Sequence, residues 1–427
     1  MAALLEQHTA ELLSLLIREA GRCLADAIAE LREAVDFCRY YAALTQQQFA
    51  TPQPLPGPTG ETNTLRLTGR GVMVCISPWN FPLSIFLGQV SAALAAGNCV
   101  VAKPASATPL IAARVINLLH RAGFPQEVVQ LITGGGEVLA HALLDHPHLA
   151  GVLFTGSTAT AKSIQRRLAQ REGPILPLLA ETGGINCMIV DSSALAEQVV
   201  GDILQSAFNS AGQRCSALRL LYLQEDVADA ILDMLTGAMD ELQIGNPALL
   251  LTDVGPVINA EAAEQLMHYT RRMDKQAQLI HRVSLSAQHA NGHYVAPCVY
   301  ELNSGSQLTQ EVFGPLLHVV RFAGDKLDKV VDEINHSGYG LTLGIHSRIQ
   351  HTIDTICQQA RVGNIYVNRN MIGAVVGVQP FGGEGLSGTG PKAGGPHYLT
   401  RLSSERVISN NITAIGGNAA LLSLIDD

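Results

Sequence analysis

Gly71-Val72-Met73-Val74-Cys75-Ile76-Ser77-Pro78-Trp79-Asn80-Phe81-Pro82 decides the architecture. A run of apolar residues ends in a Ser-Pro turn that holds the only Trp of the chain, which reads as a buried strand passing into a loop. The same grammar repeats downstream, where Cys99 to Ala102, Val129 to Thr133 and Gly151 to Phe154 alternate with helical stretches. Strands that alternate with helices pair in parallel, because the crossover helix returns the chain to the same end of the sheet. Two successive crossovers predict a doubly wound, Rossmann-like nucleotide-binding unit whose ligands collect at the carboxyl ends of its strands. A second alternation runs from Asn186 to about Arg369, with strand-like Cys187 to Val190, Leu218 to Leu223 and Leu317 to Phe322. The fold class is therefore α/β, with two such units.

Upstream of Gly71, Leu12, Leu15, Leu16 and Glu19, then Ile28, Leu31, Val35 and Cys38, recur at helical spacing, predicting helices over the first fifty residues. Thr51 to Gly60 is broken by prolines and glycines, so the chain leaves the helix there as an extended arm. Ile408 to Ile415 reads as a strand of the tail. The longest apolar stretch, Leu83 to Ala102, is interrupted by Ser84, Gln89, Ser91 and Asn98, which predicts a buried helix and strand and no membrane span. With 427 residues, 47% hydrophobic and 15% charged, the chain can bury sizeable cores. A net charge of -9 disfavours nucleic acid or an anionic membrane as partner. Eight scattered cysteines without CxxC pairing or nearby His predict free thiols, no metal site and a cytoplasmic setting.

The run Phe208-Asn209-Ser210-Ala211-Gly212-Gln213-Arg214-Cys215-Ser216 surrounds Cys215 with small, flexible, polar residues. An adjacent Arg that favours thiolate suits an accessible nucleophile better than a core filler. Glu181 follows the apolar run Ile175 to Ala180 and precedes Thr182-Gly183-Gly184, placing a carboxylate at a strand end where it can act as general base. Asn80 offers a neutral amide donor at another strand end; alone it is a turn Asn between prolines, but beside a nucleophile it suits an oxyanion hole. Thr155-Gly156-Ser157-Thr158 opens a helix behind a strand, so its N–H groups and helix dipole can hold a pyrophosphate, although neither GxGxxG nor GK[ST] is present. Lys103 closes its strand where it can meet ribose hydroxyls or a phosphate. Glu311-Val312-Phe313-Gly314-Pro315 joins an acceptor and a ring at one turn, suited to a ribose and an adjacent flat heterocycle.

In this order, PWNFP, KP, FTGSTAT, ETGG, GQRC, EVFGP and PFGG resemble the aldehyde dehydrogenase superfamily across essentially the whole chain. The runs AETGGINCMIVDSSAL, NSAGQRCSALR and VQPFGGEGLSGTGPKAGGPHYL look more closely like the L-glutamate γ-semialdehyde (1-pyrroline-5-carboxylate) dehydrogenases that form the C-terminal half of bifunctional proline utilisation A enzymes. The resemblance implies Cys215 as nucleophile, Glu181 as base for the deacylating water, and Asn80 with the Cys215 N–H as oxyanion hole. It implies Ser77, Lys103, Ser106, Gly156, Ser157, Glu311 and Phe313 around NAD. It also implies Gly373 and Ala374 with Ser216 around a substrate carboxylate, and Phe81 and Phe381 flanking the aliphatic stem. The implied domains are 1–50 with 71–184 for the cofactor, 51–70 as oligomerisation arm, 185–390 for catalysis, and 391–427 as return segment and oligomerisation tail.

By the same likeness the chain is a homo-oligomer, a dimer, functionally coupled to a proline dehydrogenase. Two departures qualify the match. Ser106 stands where the family often places an acid that accepts from the adenosine 2′-hydroxyl, which opens the way to NADP. The family also carries strands and a helix before the position of Ala2, so a truncated, inactive remnant is one competing reading. A dehydrogenase for another semialdehyde, such as succinate semialdehyde, is the other, and the loop Gly373 to Gly377 discriminates between them.

Overall fold

The computed structural model describes residues 1–411. Three helices, Ala2–Gln7, Thr9–Ala20 and Leu24–Phe49, open the chain. Glu19, counted above within the apolar repeat, instead accepts from the N–H groups of Leu110 and Ile111 at 2.7 and 3.0 Å. A carboxylate thus satisfies orphan donors at the start of helix Pro109–Arg121.

A five-stranded parallel sheet follows, ordered Val129–Leu131, Cys99–Lys103, Val72–Ile76, Leu149–Thr155, Leu178–Glu181. Its central strands are apolar on both faces because helices cover both. Helix Ser84–Ala95 lies against the long helix Leu24–Phe49 so closely that a Cβ on Gly88 would meet the Phe37 ring at 3.1 Å. The expected buried helix and strand within Leu83 to Ala102 are both present, and no described helix is long and apolar enough to cross a membrane.

The second sheet has seven strands, where the sequence pattern showed three. Its order is Gln278–Arg282, Cys298–Glu301, Leu316–Phe322, Leu218–Gln224, Asn186–Val190, Thr342–His346, Asn364–Val367, parallel except for the antiparallel first edge. The return segment then crosses back: Tyr398 and Leu399 are buried with the first sheet's helices, Tyr398 stacks on Tyr41, and the Gly394 N–H donates to the Tyr41 hydroxyl at 2.9 Å.

Gln53–Leu55, Glu61–Gly69 and Ser403–Asn411 form a separate three-stranded antiparallel sheet. The tail strand therefore begins at Ser403, ahead of the expected Ile408, because its polar residues pair with Glu61–Gly69 through backbone rather than through an apolar pattern. Residues 412–415 of that expectation lie outside the described residues.

Candidate active site

Four neighbouring parallel strands place their carboxyl ends together. Ser77 follows Val72–Ile76, Lys103 ends Cys99–Lys103, Gly156 follows Leu149–Thr155, and Glu181 ends Leu178–Glu181. The loops are bonded to one another, Ser77 N–H to the Lys103 carbonyl and Gly156 N–H to the Glu181 carbonyl, each at 3.1 Å. This is the edge at which a doubly wound sheet holds its ligand. Helix Thr158–Ala169 points its N-terminus there, capped by Ser157, whose Oγ accepts from Thr160 N–H at 3.2 Å. The Ser77 hydroxyl is buried there without a partner. Lys103 is buried, its ammonium donating to the Pro104 carbonyl at 2.9 Å, and burial pulls its pKa down. An orphaned hydroxyl, a desolvated cation and a helix N-terminus fit the ribose and phosphates of a dinucleotide.

Ser106 is exposed on the same edge, its hydroxyl donating to the Gly134 carbonyl at 3.3 Å. Introducing Ser106→Glu should raise the ratio of kcat/KM for NAD over NADP, on the order of tenfold, by adding an acceptor and repelling a 2′-phosphate. An unchanged ratio removes Ser106 from the ribose pocket.

The Gly pair after Glu181 has a physical reason: a Cβ on Gly183 would stand 1.6 Å from Glu311 Oε2. Glu311 thus lies against the loop that carries Glu181. Phe313, from the same turn, meets Trp79 edge-on at 5.5 Å between ring centroids. The turn therefore packs against the Ser77 to Pro82 loop.

On the other side lies a cavity of about 330 Å³. Cys215, Glu181 and Ser216 line it, and so do Phe81, Phe381, Gly373 and Ala374. Every residue expected around the substrate stem and carboxylate is therefore in one cavity, while Ser77, Lys103, Ser106, Gly156, Ser157, Glu311 and Phe313 are not among its lining. Asn80 is buried and not among the cavity lining, with Nδ2 donating to the Gln213 carbonyl at 3.2 Å, two residues before Cys215.

Three left-handed residues, Ser210, Ala211 and Gly212, turn the chain out of helix Ala196–Phe208 and present Cys215 to the cavity. Asn186, read above as the start of a strand, staples the far side: its Nδ2 donates to the carbonyls of Cys215 and Ala217 at 2.5 and 2.9 Å. The adjacent arginine does not activate the thiol. Arg214 pairs with Asp26 at 2.8 Å and lies over the Phe81 ring at 5.3 Å, with Arg22 on the same ring at 4.3 Å. Burial pushes the Cys215 thiol up to about 12, with the charges of Glu311, Glu181 and Glu33 adding to it.

Burial also holds the Glu181 carboxyl well above its ordinary value, against the Gly383 N–H, which donates at 3.2 Å, and the Lys392 charge. One glycine of each of the PFGG and SGTG runs makes room for this carboxyl. A Cβ on Gly382 would come within 2.7 Å of Glu181 Oε1, and one on Gly388 within 2.9 Å of Oε2.

Two further features were not visible in the motifs. Glu33 faces the cavity from helix Leu24–Phe49. Burial pushes its carboxyl up to about 7, against the Ser84 hydroxyl and the charges of Arg214 and Arg22. Asp26, Glu30 and Glu33 follow helical spacing, so a second, acidic stripe lay beside the apolar one. The loop at Gly373, which has φ +72, leaves the N–H groups of Gly373 and Ala374 without an acceptor among the described residues.

The strand ends and the thiol cavity both include Glu181, and the chain belongs to the aldehyde dehydrogenase family, which it matches over residues 1–408. The class so defined is that of NAD(P)-dependent aldehyde dehydrogenases. Within it, the chain matches the 1-pyrroline-5-carboxylate dehydrogenase-like portion of bifunctional proline utilization A proteins. It is 54% identical to the bifunctional protein PutA of Klebsiella aerogenes, over 95% of this chain and 30% of that one. The 1-pyrroline-5-carboxylate dehydrogenase of Geobacillus sp. (strain WCH70) is 35% identical over 96% of this chain and 79% of its own length. A crystal structure of a Bradyrhizobium japonicum proline utilization A variant superposes with a TM-score of 0.95 at 57% identity, covering 97% of this chain and 42% of that one. The chain thus spans well under half the length of the bifunctional relatives.

Proposed function

We propose that the chain oxidises L-glutamate γ-semialdehyde, formed from 1-pyrroline-5-carboxylate, to L-glutamate, as the second step of proline catabolism. NAD is the proposed cofactor and NADP the alternative. The reading keeps residues 1–50 and 71–184 as the cofactor-binding part, 185–390 as the catalytic part, and 51–70 with the tail as the oligomerisation element of a dimer. The observation that carries it is the content of the cavity. The Cys215 thiol, the two amides of Gly373 and Ala374 without acceptors and the Glu33 carboxyl share one space with Glu181, and a semialdehyde with an α-carboxylate and an α-ammonium needs the first three as partners. Succinate semialdehyde has no α-ammonium and would leave the Glu33 carboxyl without a partner on the substrate.

In the proposed sequence the Cys215 sulfur bonds to the aldehyde carbon as its proton passes to the Glu181 carboxylate in the same cavity, which returns it to solvent before the second half of the reaction. Asn80 Nδ2 and the Cys215 N–H stabilise the oxyanion. NAD, which Ser77, Lys103, Gly156, Ser157, Glu311 and Phe313 would hold, would supply the hydride acceptor for that carbon. Glu181 then removes a proton from water as it attacks the Cys215 thioester, releasing the acid and the thiol. Phe81 and Phe381 exclude water from the stem.

Exchanging Glu33 for Gln tests the substrate assignment. The value of kcat/KM for glutamate semialdehyde should fall about tenfold to a hundredfold, the loss of one charged hydrogen bond, while that for propanal is unchanged. In the parent chain the same ratio should climb as pH rises through 7, because the free carboxyl must ionise to hold the ammonium; the Gln variant should lack that limb. Equal losses for both aldehydes would remove Glu33 from substrate recognition.

A further inference from the structure

Arg219 carries a charge that the reaction above does not use. Its side chain is fully buried, and it stands between the two loops that matter most. Nη1 donates to the carbonyls of Gly212 and Gly314 at 2.7 and 3.2 Å. Nη2 donates to the Arg214 carbonyl at 3.0 Å and reaches Glu311 Oε1 at 3.4 Å. The Phe313 ring centroid lies 5.2 Å from the guanidinium carbon.

The loops need such a link. A Cβ on Gly212 would meet the Gly314 carbonyl at 2.1 Å, so the two backbones are in contact. Ser210 and Ala211, with φ of 55° and 53°, are non-glycine residues in the left-handed region, a conformation that persists only where its surroundings enforce it. A planar guanidinium can join several acceptors in fixed directions, which an ammonium cannot. Stability alone explains the residue poorly. Burying a cation is costly, Nε has no partner, and the one counter-ion is a long pair with a partly exposed carboxylate.

We infer that Arg219 is a positioning residue that ties Glu311 to the backbone of the Cys215 loop, so that engagement of Glu311 by a ribose is transmitted to the nucleophile. The inference rests on the reading of Cys215 as nucleophile and Glu311 as a cofactor ligand. Glu311 also opposes ionisation of Cys215 by its charge, so the two groups already sense each other.

The test uses the full chain and its Arg219→Lys and Glu311→Gln variants, each checked for a cooperative thermal transition. The readout is the rate of Cys215 alkylation by iodoacetamide, located by peptide mass, with and without NAD. In the parent chain NAD should change that rate severalfold. In Arg219→Lys the NAD effect should vanish while NADH still binds, as followed by its fluorescence, and kcat should fall about tenfold to a hundredfold with little change in KM for the aldehyde. Glu311→Gln should abolish the NAD effect in the same way, and this variant decides the matter if the Lys variant does not fold. An NAD effect retained in either variant, or absent in the parent chain, overturns the inference. Alkylation that bypasses Cys215 in the parent chain overturns the nucleophile reading instead.

Discussion

Replacing Cys215 with Ala should abolish aldehyde oxidation, a loss of about four orders of magnitude or more, while leaving dinucleotide binding intact. The size follows from the site, since no other thiol lines the cavity. The separation of binding from turnover follows from the geometry, because Ser77, Lys103 and Gly156 belong to the strand ends of the first sheet and the thiol belongs to the connection between strands Asn186–Val190 and Leu218–Gln224 of the second. Calorimetric titration with NADH beside a turnover assay checks both halves. Retained turnover sinks the nucleophile assignment, and lost binding would mean that the two sets of residues are not separable.

The second large effect is expected at Glu181. Glu181→Gln should slow hydrolysis of the thioester by about 10² to 10⁴-fold, the usual contribution of a general base, and leave hydride transfer much faster than hydrolysis. A rapid-mixing experiment should then show a burst of reduced cofactor equal to the enzyme present, followed by a slow steady state. The pH dependence has a definite sign. Both Glu181 and Cys215 are raised by burial and both act after losing a proton, so turnover should climb toward alkaline pH. The Gln variant should lose the part of that rise that belongs to Glu181. An unchanged steady state refutes the role.

Much of this was legible in the residues. The strand ends carrying Ser77, Lys103, Gly156 and Glu181 were readable because each apolar run stops at a glycine, proline or polar residue. The strands that escaped were those without that contrast. Gln278–Arg282 is a polar edge strand, Cys298–Glu301 and Asn364–Val367 are short, and Thr342–His346 is broken by a glycine in its middle. Glu33 escaped because a helix packed on two sides was read for one apolar stripe, and a carboxylate on the second stripe looked like surface. Asn186 and Arg219 escaped for a related reason. Each sits at a strand and acts on a backbone carbonyl of a loop that is not its neighbour in sequence, Asn186 on Cys215 and Arg219 on Gly314, and such bonds leave no periodic trace. The thiolate expected from Arg214 failed because Asp26, far away in sequence, takes up that charge.

The measurement that most directly tests the central claim is the reduction of NAD and of NADP by the purified chain, with glutamate semialdehyde beside succinate semialdehyde and propanal. The account predicts turnover with all-round preference for glutamate semialdehyde, lost in Cys215→Ala. Equal or greater kcat/KM for succinate semialdehyde, or no turnover from a folded chain that binds the dinucleotide, would contradict it.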